Sequence, residues 1–167
     1  MTWGYGTLDE LRALAERFPD LPMEDEGRLV DAKLRENFIE RLFAYRRVKT
    51  LFHARWTQGD LVRFHTAHKL VLLAHSVDAY RAIGRLVADG RKMGRAALRA
   101  EYVAQFMSAL AIPATARKHT NVLMHMVGHF RGPLDAASRD ELLACIDDYR
   151  RELIPLIVPI TLIKHHV

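Results

Sequence analysis

The sequence lacks the residue patterns that mark several large classes of protein. Cys145 is the only cysteine among the 167 residues, so the chain can form neither an internal disulfide nor a cysteine-based zinc site. This cysteine content suits a reducing compartment, and we expect a cytoplasmic protein. The sequence also contains no glycine-rich phosphate loop, no HExxH metal motif, no Glu-x-x-His pair and no GxSxG nucleophile elbow.

Long hydrophobic runs are missing as well. The longest apolar stretch, LIPLIVPITLI at 153–163, is interrupted by Pro155 and Pro159 and is too short for a membrane span, which needs roughly 20 residues. The opening segment, MTWGYGTLDELRALAERF, has no basic start followed by an apolar core, so it does not resemble a secretory signal. We therefore expect a soluble protein that does not associate with membranes.

The net charge of +5 is unevenly distributed along the chain. Residues 1–30 contain three basic and seven acidic residues, whereas residues 31–167 contain 22 basic and 13 acidic residues. A basic body behind an acidic leader is compatible with a phosphate-rich partner. It is also the pattern of an ordinary solvated surface, so charge alone does not decide between the two.

Almost every boundary signal in the sequence is typical of a helix, and no alternating strand pattern of useful length is found. We predict a first helix that opens with a capping box at Thr7 and ends at Pro19, followed by an acidic linker to Gly27. Further helices are predicted from near Asp31 to near Gly59, over 61–74, 76–90, 94–110, 115–131 and 138–153, and after Pro155 or Pro159. The predicted fold class is all-α, a compact bundle of about six to eight helices.

Local patterns add detail to this prediction. Asp60 and Ser76 are predicted to cap helices, and Ser138 with Glu141 forms a second capping box. One predicted face of the helix that begins near Asp31 carries an apolar stripe of Leu34, Phe38, Leu42, Tyr45 and Phe52. We divide the chain into an N-terminal helix and acidic linker, residues 1–27, and a helical domain, residues 28–167.

The stretch FHTAHKLVLLAHS, residues 64–76, places three histidines in one of the most apolar parts of the chain. At 100° per residue, His65, His68 and His75 fall on one side of a helix whose other directions are apolar. Such a helix is buried, so these imidazoles need hydrogen-bond partners on neighbouring helices. The candidate partners lie in RENFIER, residues 35–41, and in KHTNVLMHMVGH, residues 118–129.

Three interpretations of these histidines remain open from the residues alone. They could form a polar network that fixes the register of the helices, or they could line a polar pocket for a small or anionic ligand. A metal site could instead be built from the histidines and carboxylates His65, His68, His125, Glu36 and Glu40. The missing metal motifs argue against this site, and no metal or cofactor is expected.

Four segments together resemble the YbgA-like bacterial domain of unknown function. They are LPMEDEGRLVDAKLRENFIERLFAY (21–45), FHTAHKLVLLAHS (64–76), KHTNVLMHMVGHF (118–130) and LIPLIVPITLIKHH (153–166). Members of this family occur alone or fused behind a cysteine-rich domain that carries an iron–sulfur cluster, and some fused proteins are similar to desulfidases of thiolated pyrimidines. This chain has no cluster-binding cysteines, so the resemblance does not imply desulfidase activity for it. The resemblance does imply such a cluster domain, in cis or in trans, as a partner.

The motif residues of that family can be placed in this sequence, although the resemblance assigns none of them a catalytic role. They are Arg35, Glu36, Asn37, Glu40, Arg41, His65, His68, Lys69, His75, His119, Asn121, His125, Lys164 and His165. His129 departs from the pattern, which favours an aromatic residue such as tyrosine at this position. We therefore regard His129 as a poor candidate for an essential ligand.

The expected function is that of a non-catalytic binding or accessory domain with a basic, histidine-lined pocket for an anionic partner, either nucleic acid or a nucleotide. Positive charge would come from Arg35, Arg41, Lys69 and Lys164. Oriented hydrogen bonds would come from His65, His68, Asn37 and Asn121. Two alternatives are an enzyme that pairs a histidine with Glu36 or Glu40 for general acid–base catalysis, and a purely structural interaction module.

Overall fold

The computed structural model describes residues 8–53, 55–129 and 134–166, and these residues form nine α-helices and no strand. The helices are α1 (Leu8–Arg17), α2 (Ala32–His53), α3 (Gln58–Ala67), α4 (Lys69–His75), α5 (Val77–Asp89), α6 (Arg95–Ala111), α7 (Ala116–His129), α8 (Ala136–Arg150) and α9 (Ile157–His165). Short 3₁₀ turns occupy Arg28–Val30 and Gly90–Lys92. The predicted all-α bundle is confirmed, while the predicted capping residue Thr7 lies outside the described residues.

Two groups of buried side chains form the core. The larger group joins α2 to α6 and includes Val48 of α2, Leu72 of α4 and Phe106 of α6. The second group joins α7, α8 and α9 and includes Leu123 and Ile146. Helix α4 packs against α5 and α6 and also against α7, so the boundary between the two groups runs along α4.

The buried face of α2 differs from the predicted apolar stripe. Ala44, Val48 and Phe52, spaced four residues apart, are buried, whereas Leu42 is 40% exposed. Residues four apart lie above one another on a helix, and the small Ala44 allows close approach of the packed neighbour α6. The predicted stripe was therefore wrong at Leu42, which faces away from the core.

The helix break at His68 was not predicted, since residues 61–74 read as one continuous apolar helix. His68 has φ −99° and ψ 7°, which separates α3 from α4. Its Nδ1 donates to the carbonyl oxygen of Phe64 at 2.8 Å, and this oxygen also accepts the backbone N–H of His68 at 3.1 Å. The side chain of His68 thus bonds to the last turn of α3.

One predicted helix cap is correct, and another lies three residues after the true N-cap. Ser76 caps α5, because its Oγ accepts a hydrogen bond from the backbone N–H of Ala79 at 3.1 Å. Asp60, predicted as the cap of the next helix, instead completes a capping box whose N-cap is Thr57. The carboxylate of Asp60 accepts from the backbone N–H of Thr57 at 2.8 Å, so α3 begins earlier than predicted.

Helix α8 also begins earlier than predicted. Its N-cap is Asp135, whose carboxylate accepts from the backbone N–H of Ser138 at 2.8 Å. Ser138, the predicted cap, lies inside the first turn and donates its hydroxyl to Asp135 at 3.0 Å. Asp60 and Ser138 were both predicted as N-caps, and each is preceded by another residue that can cap a helix, three positions earlier in the sequence.

The acidic linker contains no helix up to Arg28 and contacts α2. Pro22 is buried, and the side chain of Glu24 is only 12% exposed and forms a 2.7 Å ion pair with Arg28. Burial lowers the pKa of Arg41 on α2, and the nearby charge of Glu24 partly opposes this effect. The linker therefore contributes an acidic side chain to the surface of α2.

The apolar C-terminal run forms α9, as predicted. Pro159 lies in its first turn, where a proline is tolerated because that backbone N–H has no partner within the helix. Ile163, further along, is buried in the second core group. Within the residues that the structure describes, no helix is long and apolar enough to cross a bilayer.

Candidate functional site

Four helices meet at a buried polar group that we call the Glu40–His75 junction. His75, at the end of α4, has no exposed surface. Its Nε2 lies 3.0 Å from Oε2 of Glu40 on α2, and its Nδ1 lies 2.6 Å from the carbonyl oxygen of Ile112, which follows α6. A carbonyl oxygen only accepts, so Nδ1 must carry a proton. A second proton must then be shared between Nε2 and the carboxyl group of Glu40.

Further polar side chains complete this junction. Lys118 of α7 donates from Nζ to the backbone carbonyl oxygen of His75 at 2.7 Å. Asn37 of α2 donates from Nδ2 to the carbonyl oxygen of Leu110 at 3.1 Å. Both bonds satisfy carbonyl groups in the last turns of α4 and α6, which have no partner within their own helices. Helices α2, α4, α6 and α7 are thereby fixed relative to one another.

A second histidine lies beside the junction. His119 of α7 has its Nδ1 2.8 Å from the hydroxyl of Tyr149 on α8. Burial lowers the pKa of His119, an effect that Glu40 opposes and His75 reinforces. Burial and the charges of Glu36 and Glu152 raise the pKa of Tyr149 to about 12. The His119–Tyr149 bond is therefore a contact between two uncharged groups at neutral pH.

His65 and His68 do not join this junction but pack among aromatic rings. The ring of His68 stacks on Phe64 with centroids 4.0 Å apart and an interplanar angle of 25°. His65 lies parallel to Tyr80 at 5.6 Å, and its Nδ1 is 3.4 Å from the hydroxyl of Tyr102. Burial is the main cause that lowers the pKa of both histidines. The break at His68 separates these two rings from His75, which lies at the far end of α4.

The other predicted site residues are distributed over the surface. Side chains that face solvent are Arg35, Glu36, Asn121, His125, Lys164 and His165. His125 contacts its neighbour His129, with the two Nε2 atoms 3.4 Å apart, and Arg35 donates to the carbonyl oxygen of Leu29 at 2.9 Å. Lys69 and Arg41 are half-buried, and the buried Nε of Arg41 has no hydrogen-bond partner among the described residues. The fourteen residues therefore do not line one pocket.

The alternative metal site is not assembled. Within the described residues, no group of three or more histidine, cysteine, aspartate or glutamate side chains could hold a metal ion. The ring of His68 is hydrogen-bonded to the carbonyl oxygen of Phe64, and the carboxyl group of Glu40 is hydrogen-bonded to His75. His125 lies on an exposed part of α7. The alternative metal set of His65, His68, His125, Glu36 and Glu40 is therefore not brought together among the described residues.

A cleft of 610 Å³ lies between α2 and α3, and we call it the arginine cleft. It is lined among others by Phe43, Arg46, Arg47, Asp60, Phe64 and His68. The ring of Phe43 is 59% exposed although it is large and apolar. Arg46 and Arg47 form no ion pair with any acidic side chain of the described residues.

The charges that line the arginine cleft are unbalanced. Asp60 is the acidic member of the lining in the described part of the chain, and its carboxylate is already bound to Thr57 and Arg63. Hydrogen bonds from Thr57 are the largest cause that lowers the pKa of Asp60. The two free guanidinium groups therefore give the cleft a net positive charge.

His68 gives the arginine cleft an oriented hydrogen-bonding group. Because Nδ1 donates to Phe64, the neutral ring carries its lone pair on Nε2. Burial lowers the pKa of His68, and Arg47 lowers it further, while the carbonyl oxygen of Phe64 opposes both. His68 is therefore a hydrogen-bond acceptor at neutral pH.

Sequence reasoning identified His68 but missed the rest of this cleft. Phe43, Arg46 and Arg47 lie in LFAYRRVKT, and they share a helical face because they are three and four residues apart. A large aromatic residue one turn before two adjacent arginines was the available signal. The apolar periodicity of α2 does not reveal this signal, because it marks the residues that face the core.

Comparison with known proteins places the chain in a family. A family model described as a protein of unknown function (DUF1722) matches residues 69–167. The uncharacterized protein YbgA of Escherichia coli (strain K12) is 40% identical over 131 residues, which cover 76% of this chain and 76% of that protein. No solved structure matches the chain.

The family model and the arginine cleft occupy different parts of the sequence. His75, His119 and Tyr149 lie within the matched residues, whereas the side chains that line the cleft precede residue 69. The comparisons thus identify the family and name no activity. On the family match and the YbgA relative together, this chain belongs to the DUF1722 family of proteins of unknown function.

Proposed function

We propose that the protein is a non-catalytic binding domain for an anionic partner and that the arginine cleft is its binding surface. The observation that carries this proposal is that two arginines of one cleft form no ion pair with an acidic side chain in the described part of the chain. Arg46 and Arg47 are joined there by Asp60, whose carboxylate accepts hydrogen bonds from Thr57 and forms an ion pair with Arg63. An anion would therefore meet an attractive field with little local repulsion.

The chemistry of the lining supports a phosphate group as the bound anion. The planar guanidinium of arginine presents donors in a fixed geometry that matches two oxygens of a phosphate. A volume of 610 Å³ lies within the range of about 300–1,000 Å³ found for small-molecule sites. Apolar rings from Phe43 and Phe64 beside a few polar groups are also typical of such sites.

The proposal retains the predicted class of partner, but it assigns the positive charge of the binding site to different side chains. Arg35, Arg41, Lys69 and Lys164 were expected to supply it, and Arg35 and Lys164 are solvent-facing side chains away from the cleft lining. His68 is the predicted site residue that lines the cleft. The excess of basic residues after residue 30 supports long-range attraction of a phosphate-rich partner.

For the Glu40–His75 junction, we propose a structural role. A catalytic imidazole must reach its substrate, and His75 has no exposed surface. Both of its ring nitrogens are occupied by Glu40 and Ile112. These contacts support a function in fixing helix positions, which is the polar-network interpretation of the histidine stretch.

Isothermal titration with inorganic tripolyphosphate at low salt tests the proposal. Arg46→Ala and Arg47→Ala should each weaken binding about tenfold, since one hydrogen bond to a charged group contributes about 1.5–3 kcal/mol. Arg117→Ala is the matched control, because Arg117 is an exposed arginine of α7 that does not line the cleft. Equal losses in all three variants, or no binding by the unmodified protein, would reject the arginine cleft as an anion site.

A further inference from the structure

We infer that the arginine cleft takes single-stranded nucleic acid, with an unpaired base stacked on Phe43 and its edge contacting His68. This inference rests on the proposed anion-binding function, because the phosphate groups of the strand would bind Arg46 and Arg47. It goes further in naming the class of ligand and the side chains that distinguish a strand from a simple polyphosphate.

The first argument is the exposed ring of Phe43. It is 59% exposed on α2, whereas Phe52 on the same helix is buried in the core. An exposed phenyl ring that lines a cleft offers a flat apolar face to a planar ligand. Bases of single strands stack on such rings without regard to sequence, because every base has a π-face.

The second argument is the position of the arginines relative to this ring. Arg46 and Arg47 follow Phe43 by three and four residues, so they lie about one helical turn, roughly 5.4 Å, further along α2. An aromatic ring interleaved with basic side chains is the pattern of single-strand binding surfaces.

The third argument is the hydrogen-bonding state of His68. Its Nδ1 donates to the carbonyl oxygen of Phe64, which leaves Nε2 as an acceptor on a ring that lines the cleft. Base edges carry N–H donors that such an acceptor binds. A polyphosphate has only acceptor oxygens at neutral pH, so it gains nothing from this group.

A duplex does not fit the same arrangement. Its bases are paired and stacked inside the helix, so neither the face needed by Phe43 nor the edge needed by His68 is free. An acidic peptide would satisfy Arg46 and Arg47, and its backbone N–H groups can donate to His68, but its carboxylates provide no ring for Phe43. The combination of the four side chains favours an unpaired strand over both.

Fluorescence anisotropy with a short labelled single-stranded RNA, its matched duplex and a labelled polyglutamate peptide tests the inference. The single strand should bind at least about tenfold more tightly than the duplex or the peptide. Phe43→Ala should weaken single-strand binding about tenfold and leave tripolyphosphate binding unchanged. Phe43→Tyr keeps the ring and should retain strand binding, and Leu42→Ala is the control, because Leu42 is a 40% exposed neighbour that does not line the cleft.

The outcomes separate the two proposals. If Arg46→Ala and Arg47→Ala weaken strand binding but Phe43→Ala does not, the stacking inference fails and the anion site stands. Equal affinity for strand and duplex, or for strand and peptide, also overturns the inference. If neither the strand nor tripolyphosphate binds, the proposed function itself fails. Because Phe43 is exposed, melting curves of the variants should match that of the unmodified protein.

Discussion

His75 is the single residue on which the meeting of α2, α4, α6 and α7 most depends. Its ring nitrogens face the carboxylate of Glu40 and the carbonyl oxygen of Ile112, and its own carbonyl oxygen accepts from Lys118. All of these contacts lie at or near a residue with no exposed surface. A buried polar group that loses its partner retains the full cost of its desolvation, so this residue tolerates little change.

His75→Ala should lower the free energy of unfolding by at least about 2 kcal/mol. The reason is that truncation of a fully buried side chain leaves a cavity, which costs about 2 kcal/mol or more, and removes the donor to the carbonyl oxygen of Ile112. Urea denaturation followed by circular dichroism measures the change. His125→Ala, an exposed histidine on α7, is the matched control and should change stability by less than about 0.5 kcal/mol. Equal effects of the two substitutions would contradict the structural role.

Part of this residue-level picture could be predicted from the sequence. An apolar helix with a histidine must supply that histidine with partners, and the stretch 35–41 offered Glu36 and Glu40 as candidates. The separate positions of His65 and His68 could not be predicted. They depend on the break at His68, where the side chain bonds to the carbonyl oxygen of Phe64, and the apolar periodicity gives no sign of this break.

At the scale of helices, the order of the elements followed from the sequence, but the division of residues 61–74 into α3 and α4 and several helix starts did not. Ser76 is a lone capping residue before its helix, and it was predicted correctly. Before α3 and α8, two capping residues stand three positions apart, Thr57 with Asp60 and Asp135 with Ser138. Either member of such a pair can cap, and only the packing of the helix decides which one does.

Substitutions at the start of α8 distinguish the two possible caps. Asp135→Ala should lower the free energy of unfolding by about 1 kcal/mol, because the N-cap carboxylate accepts the backbone N–H of Ser138. Ser138→Ala should have a smaller effect, since the hydroxyl only adds a bond to Asp135. Thermal melting of both variants gives the comparison. A larger loss for Ser138→Ala would restore Ser138 as the cap.

At the scale of the whole molecule, partly buried histidines should make stability depend on pH. Burial lowers the pKa of His65, His68 and His119 from the ordinary value of 6.5. In the unfolded chain these histidines are protonated at that ordinary pKa, whereas in the folded chain they become protonated only at a lower pH. The free energy of unfolding should therefore fall as the pH drops below about 6.5 and change little above it.

Urea denaturation at about pH 7.5 and about pH 5.5 measures this dependence. His119→Gln should reduce the difference between the two conditions, because it removes one group that the unfolded state protonates. Asp60 and Asp135 also have lowered pKa values, but their contribution is lost only when the pH falls below the ordinary aspartate value of 3.8. Stability that is constant or higher at about pH 5.5 would contradict the assignment of neutral buried histidines.

The arginine cleft belongs to this largest scale, because it exists only where α2 and α3 face each other. The sequence indicated a basic body, and it held Arg46 and Arg47 next to each other after Phe43. It could not indicate that the carboxylate of Asp60 would be bonded to Thr57 and Arg63, which reduces the repulsion that an anion meets in the cleft. Of the side chains that were predicted to supply charge, Arg35 and Lys164 face solvent, Arg41 and Lys69 are half-buried, and none of the four lines the cleft.

The salt dependence of single-strand binding tests the anionic-partner proposal most directly. Log affinity for a short single-stranded RNA should fall linearly with log salt between about 50 and 200 mM, with a slope of about −0.7 for each phosphate bound. Joint replacement of Arg46 and Arg47 by alanine should make that slope shallower by about 1.4, while Arg117→Ala leaves it unchanged. A slope that is the same in the unmodified protein and the double variant would contradict binding at the arginine cleft.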